Sequence, residues 1–261
     1  MVEKTTIQSG YAEVNGIQMY YEIYGQGSPL VLIHGGGSTI QTTFERVIPL
    51  LARHRKIIAM ELQAHGRTHD RNTDSSFEQD ADDVAQLLEN LHIEKADFFG
   101  FSNGATTALQ IAIRHPTIVN KLVLASILTK RHGIPEQFWT FMQNASLDNM
   151  PVQLKEAYLA VNNNLDGLLI MHERDANRMR HFQDIPDDII SSVMTPVLII
   201  NGDKDIISNE HALEMNRLLS NSRLAIIPGV HGEYIDEITT IKPNGKGHGY
   251  VVEMIEDFLE A

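Results

Sequence analysis

The sequence predicts an α/β fold: a mostly parallel central sheet of about eight strands, helices on both faces, and a small helical cap. Three observations carry this. Short continuous apolar runs, such as Pro29-Leu30-Val31-Leu32-Ile33 and Lys56-Ile57-Ile58-Ala59-Met60, suit strands buried on both faces. They alternate with stretches of helical apolar spacing, the pattern of a parallel sheet with crossover helices. Between about Ser126 and Met194 the strand runs stop and helix-like patterns replace them. The expected organisation is a core at 1–125, a helical cap insertion at 126–194 and the rest of the core at 195–261.

Taken in order, Tyr11–Val14 and Ile17–Tyr24 flank Asn15-Gly16, a hairpin signal because both turn positions need positive φ. The strand ending at Ile33 runs into His34-Gly35-Gly36-Gly37. Phe44–Leu51 suits one short helix, and 56–60 is the next strand. Polar residues from Gln63 to Asp74 predict a loop. Ser76-Phe77-Glu78-Gln79 reads as a capping box opening a helix, whose apolar positions are Val84, Leu87, Leu88 and Leu91. An apolar run then enters Gly100-Phe101-Ser102-Asn103-Gly104, and a helix over 106–114 follows, ended by Pro116. Strands are expected at 121–125, 196–200 and 223–227, with helices near 211–219 and 250–259. Pro243-Asn244-Gly245 reads as a turn.

Composition narrows the function. The 261 residues suffice for one well-buried α/β domain, and 43% hydrophobic with 21% charged residues argues against disorder. A formal net charge of -13 repels phosphate backbones and anionic lipid, so neither nucleic acid nor a membrane is an expected partner. The lack of cysteine removes disulfides, thiolate metal sites and a cysteine nucleophile together. The first residues, Met1 to Thr6, have no apolar core of signal-peptide length, which gives a cytoplasmic expectation.

The chemistry centres on Ser102. Gly-x-Ser-x-Gly between a strand and a helix crowds the backbone, so Gly100 and Gly104 must be small while the serine hydroxyl is pushed outward. A serine hydroxyl needs a neighbouring base, and that imidazole needs a carboxylate. Asp203 and Asp205 follow the strand ending at Ile200, and His231 follows the strand ending at Ile227. Strand-end positions gather along one edge of such a sheet, where ligands bind.

These features resemble the α/β-hydrolase-fold superfamily in its small, lid-bearing esterase, lactonase and haloperoxidase-like members. The resemblance rests on His34-Gly35-Gly36-Gly37, Glu61-Leu62-Gln63-Ala64-His65-Gly66-Arg67-Thr68, Gly100–Gly104, Gly202-Asp203-Lys204-Asp205 and Pro228–Gly232. It implies Ser102 as nucleophile, Asp205 as acid, His231 as base, and the backbone N–H groups of Gly36 and Asn103 as oxyanion hole. A serine nucleophile implies acyl transfer from a small ester-like substrate, with no cofactor. The same resemblance leaves a perhydrolase or haloperoxidase-type activity, or a slow-turnover receptor, as alternatives.

Rival assignments accompany these. Asp203 competes with Asp205, and His248 with His231, because Glu233 to Gly247 is a long stretch before the last helix. Gly37, Phe101 and Trp139 are the candidate pocket residues; Phe138, Trp139 and Phe141 also suit packing within the cap. His34 suits either orientation of the oxyanion loop or a structural place, and His65 and Arg67 suit tying down a loop. Asp236 and Glu237 are expected in solvent. The remaining histidines lack metal-ligand spacing, so no metal is expected.

Overall fold

The computed structural model describes residues 8–242 and 247–261. The N-terminal hexapeptide and the Pro243-Asn244-Gly245 turn lie outside these residues. Eight strands form one sheet: β1 (Gln8–Val14), β2 (Ile17–Tyr24), β3 (Ser28–Ile33), β4 (Arg55–Met60), β5 (Ala96–Phe101), β6 (Val119–Ala125), β7 (Val197–Gly202) and β8 (Ser222–Ile227). Their spatial order is β1-β2-β4-β3-β5-β6-β7-β8. The β1–β2 and β2–β4 pairs are antiparallel, and every other pair is parallel. The β1–β2 hairpin turns at Asn15 and Gly16, with φ of 42° and 87°.

Strand alternation divides the core. Val31 and Ile33, Phe98, and Leu122 and Leu124 point to one face of the sheet. There they meet α3 (Phe77–Asn90), α4 (Asn103–Arg114) and α9 (Asn209–Leu218). Leu30 and Leu32, Phe99 and Phe101, and Val123 and Ala125 point to the other. That face is covered by α1 (Ile40–Phe44), α2 (Ile48–Leu51) and α10 (Gly247–Glu260). Between β6 and β7 the chain makes a helical insert of α5 (Glu136–Gln143), α6 (Val152–Val161), α7 (Leu165–Arg180) and α8 (Asp187–Ser191).

Two local expectations are corrected. The helix expected over 44–51 is two short helices, α1 and α2. The first is capped by Thr39, whose side chain accepts the Thr42 N–H, and Pro49 occupies the first turn of the second. The Ser76 capping box is half made. Ser76 accepts the Gln79 N–H, but the Gln79 side chain donates instead to Asp83 Oδ1 at 2.9 Å.

The strand order reverses at β3, whose crossover leads outward to β4 on one side while β5 lies on the other. Ile33 pairs with Gly100 there. The segments that follow, Gly35–Gly37 after β3 and Ser102 after β5, therefore leave the sheet side by side at a topological switch point.

Candidate active site

Ser102 stands between β5 and α4 with φ 54° and ψ -122°, a conformation that costs a non-glycine residue about 1–3 kcal/mol. Its neighbours explain why the turn closes. A Cβ on Gly100 would lie 2.2 Å from the Gly104 carbonyl oxygen, and one on Gly104 would lie 2.1 Å from that of Ile33. Glycine is required at both positions by backbone, which cannot yield as a side chain can.

His231 lies behind Ser102, with Nε2 3.1 Å from Oγ, and its Nδ1 is 2.8 Å from Asp205 Oδ1. A carboxylate only accepts, so Nδ1 carries the proton and Nε2 is left to accept the Ser102 hydroxyl. The Asp205 side chain is fully buried and held by further donors: Ile207 N–H to Oδ1 at 3.0 Å and Ser126 Oγ to Oδ2 at 2.6 Å. Tyr234 in turn lies 2.5 Å from Ser126 Oγ. Burial alone would raise the Asp205 pKa; His231 and the hydrogen bonds outweigh it and hold the carboxyl below its ordinary range.

The rivals are engaged elsewhere. Asp203 Oδ1 accepts the Gly229 N–H at 2.8 Å, tying the ends of β7 and β8 together. His248 Nδ1 is bonded to Asp236 Oδ2 at 2.6 Å. That bond corrects the expected exposure of Asp236, which is buried. Glu237 is buried too, accepting from Thr239 N and Oγ1.

A cavity of about 340 Å³ opens over Ser102 between the sheet loops and the insert. Gly36, Gly37, Asn103 and His231 line it from below, with Phe138, Phe141, Met150, Leu154, Met171 and Met179 above. Gly36 and Asn103 are in immediate contact, since a Cβ on Gly36 would lie 2.6 Å from Asn103 Nδ2. Two expected pocket residues do not reach the cavity. Phe101 is buried beneath His231, with ring centroids 4.8 Å apart. Trp139 is buried within the insert, its Nε1–H bonded to the Arg131 carbonyl and the Arg131 guanidinium 3.9 Å from its ring. Phe138 and Phe141 take the cavity-facing places on α5.

A second buried polar group borders the cavity. His34 donates from Nδ1 to the Gly35 carbonyl and accepts the Leu62 N–H at Nε2, at 2.7 and 3.0 Å. It is therefore neutral, and burial together with the adjacent His65 pushes its pKa down to about 3. His65 faces the Gln63 carbonyl with Nδ1 at 2.9 Å and Asp175 Oδ2 with Nε2 at 3.0 Å. Both partners are acceptors, while the Gly37 N–H is shared between Asp175 Oδ2 and Nε2, which it approaches at 3.2 Å; the ion pair with Asp175 is what favours the imidazolium. Burial opposes that charge, but Asp175 outweighs it and keeps the pKa above the ordinary histidine value. The Asp175 carboxyl, despite burial, is held below its usual range by His65, Arg178 and the Gly37 N–H.

Asp175, Ser126 and Tyr234 were not singled out from the sequence. Asp175 carried a signal: it interrupts the row Met171, Asp175, Met179 on the buried face of α7. Ser126 sits at a strand end, like the other site residues.

Among the described residues, His132, His211 and Glu214 form one cluster of metal-ligating type. His211 Nε2 accepts the Thr129 N–H at 3.1 Å, so its proton lies on Nδ1, facing Glu214 at 3.0 Å. A metal would have to displace that proton and reverse the tautomer.

The sequence profile of the alpha/beta hydrolase fold matches residues 28–172. Human serine hydrolase BPHL is 25% identical over 98% of this chain and 88% of its own length. A serine hydrolase involved in carbazole degradation superposes with a TM-score of 0.79 at 21% identity, over 98% of this chain and 99% of that one. The 2-hydroxy-6-oxo-6-phenylhexa-2,4-dienoate hydrolase of Rhodococcus sp. strain RHA1 gives 0.81 at 18% identity, over 99% and 100%. The profile spans more than half of the chain and the fold agrees with it throughout: this protein belongs to the alpha/beta hydrolase fold family and is a hydrolase.

Proposed function

We propose that the protein is a serine hydrolase that cleaves a small, uncharged carboxylic ester, thioester or lactone through an acyl-enzyme on Ser102. The observation that carries this reading is the ordered contact of Ser102 Oγ, His231 and Asp205 at the floor of an apolar cavity. His231 takes the hydroxyl proton as Oγ attacks the carbonyl carbon, and Asp205 stabilises the imidazolium that forms. The carbonyl oxygen becomes an oxyanion received by the N–H groups of Gly36 and Asn103, each worth about 3 kcal/mol of barrier in comparable sites. Collapse expels the leaving group, which takes its proton from His231. Water activated by the same imidazole then releases the acid.

The cavity wall bears on the substrate. The name of the Rhodococcus relative denotes a substrate bearing a carboxylate. Among the described residues, no lysine or arginine lines this cavity, while Asp175 does. An uncharged acyl group suits that wall better. The helical insert roofs the cavity and is the lid that sets acyl size.

A fluorophosphonate probe and p-nitrophenyl esters test the proposal. Labelling is expected on Ser102. Acetate to hexanoate esters should turn over, with the anionic hemisuccinate much slower. Turnover surviving in Ser102→Ala would sink the mechanism. Peroxide-dependent halogenation faster than ester hydrolysis would favour the perhydrolase alternative.

A further inference from the structure

The geometry points to Asp175 as a positioning residue for the oxyanion loop, delivered by the insert. This rests on the serine-hydrolase reading above. Asp175 lies on α7, yet its Oδ2 accepts the Gly37 N–H at 2.5 Å. The loop after β3 presents consecutive N–H groups at Gly36 and Gly37. With the Gly37 N–H taken by Asp175 Oδ2 and, at 3.2 Å, His65 Nε2, the Gly36 N–H is the one left for the cavity. Gly37 reaches this arrangement with φ of 67°. Close packing holds it: a Cβ on Gly36 would lie 3.1 Å from Asp175 Oδ2 as well as against Asn103.

A carboxylate beside a developing oxyanion would oppose catalysis if its charge were free. Here it is matched. The His65 imidazolium donates to the same Oδ2 at 3.0 Å, and Arg178 Nη2 lies 3.4 Å from Oδ1. Arg178 is itself paired with Asp80 at 2.7 Å, so two basic side chains alternate with two carboxyl groups in this buried set. Both hydrogen bonds fall on Oδ2; Oδ1 accepts none and meets only the Arg178 ion-pair contact. The consequence is mechanical: the insert and the loop after β3 are joined at one atom, next to the place where negative charge develops.

The test compares wild type, Asp175→Ala and Asp175→Asn, with Ser102→Ala as control. Three readouts are used: kcat and KM on a neutral ester, the inhibition constant of a trifluoromethyl ketone, and the affinity for the product acid. The ketone accepts Ser102 Oγ at its carbonyl carbon, the hydroxyl proton passes to His231, and the carbonyl oxygen becomes an oxyanion. Its affinity therefore reports the hole, whereas product affinity reports the pocket. The expected result for Asp175→Ala is about 30-fold loss in kcat and in ketone affinity together, with KM and product affinity within about threefold. Asp175→Asn keeps an acceptor for Gly37 N–H and should recover most of that loss. If both variants keep kcat and ketone affinity within about threefold of wild type, or if KM and product affinity carry the loss, the proposal is overturned. Should Asp175→Ala fail to fold, Asp175→Ser, whose shorter side chain withdraws the acceptor from Gly37, decides by the same criterion: ketone affinity must fall while product affinity holds. Activity in Ser102→Ala would instead sink the hydrolase mechanism and leave the loop contact to be judged from ketone binding.

Discussion

Two aspartates two residues apart, both after β7, have opposite fates, and burial separates them. Asp205 is enclosed and takes His231, Ser126 and Ile207, while Asp203 faces solvent and takes one backbone N–H. Asp205→Asn should lower kcat by about 10³–10⁴-fold, because the amide no longer fixes the imidazole tautomer. Asp203→Ala should leave kcat within about threefold and remove about 0.5–1.5 kcal/mol of stability. Steady-state kinetics and urea denaturation of the pair check both outcomes. At this scale the sequence offered Ser102, two aspartates and His231 as strand-end candidates, and the resemblance favoured Asp205; the structure brings Ser102, His231 and Asp205 into contact. Asp175 and Ser126 stayed hidden because their partners are remote in sequence: Gly37 is 138 residues from Asp175, and Asp205 is 79 from Ser126. Nothing local encodes such a meeting. Of the two places the sequence allowed Trp139, pocket or packing within the cap, it takes the packing one, because its side of α5 faces away from the cavity.

Among the elements, the β5–α4 turn is the most constrained. Its glycines are opposed by main-chain carbonyls at 2.1 and 2.2 Å, which no rotamer change relieves. Gly104→Ala is expected to lose at least about 2 kcal/mol of stability and to lower activity along with it. Thermal unfolding and fluorophosphonate labelling of the soluble fraction are the measurements. The inner strands β3 to β7 were legible because they are largely buried on both faces and read as continuous apolar runs. Short helices were less so: α1 and α2 have 5 and 4 residues, too few to set a period. The Ser76 cap was recognised, but Gln79 had a competing acceptor in Asp83 that only the folded chain supplies.

On the scale of the whole molecule, the strand reversal at β3 brings two loops together, and the insert closes over them. The buried charges there make stability depend on pH. His65 has a folded pKa raised above its unfolded value of about 6.5. Its contribution is therefore full below that value and is lost as pH rises through the folded pKa. The stability difference between wild type and His65→Gln should accordingly be larger at pH 6 than at pH 9, as urea midpoints would record. A difference that grew with pH would contradict the imidazolium assignment. Alternating strands and helices made the architecture plain from sequence. The charge network was not, since it joins the loops after β3 and β4 to α3 and α7.

The insert leaves the sheet at the end of β6 and returns at the start of β7, and those strands are direct parallel neighbours, Leu122 beside Val197 and Ala125 beside Ile200. It is thus a detour whose length the sheet barely registers, because closure entropy grows only logarithmically with loop size. A lineage can lengthen, shorten or exchange such a detour and change what is admitted while leaving the reactive groups untouched. Asp175 sets a limit on that freedom. Any transplanted segment must arrive with an acceptor for the Gly37 amide and a counter-charge for His65, or the recipient inherits a new entrance and an unfinished catalyst.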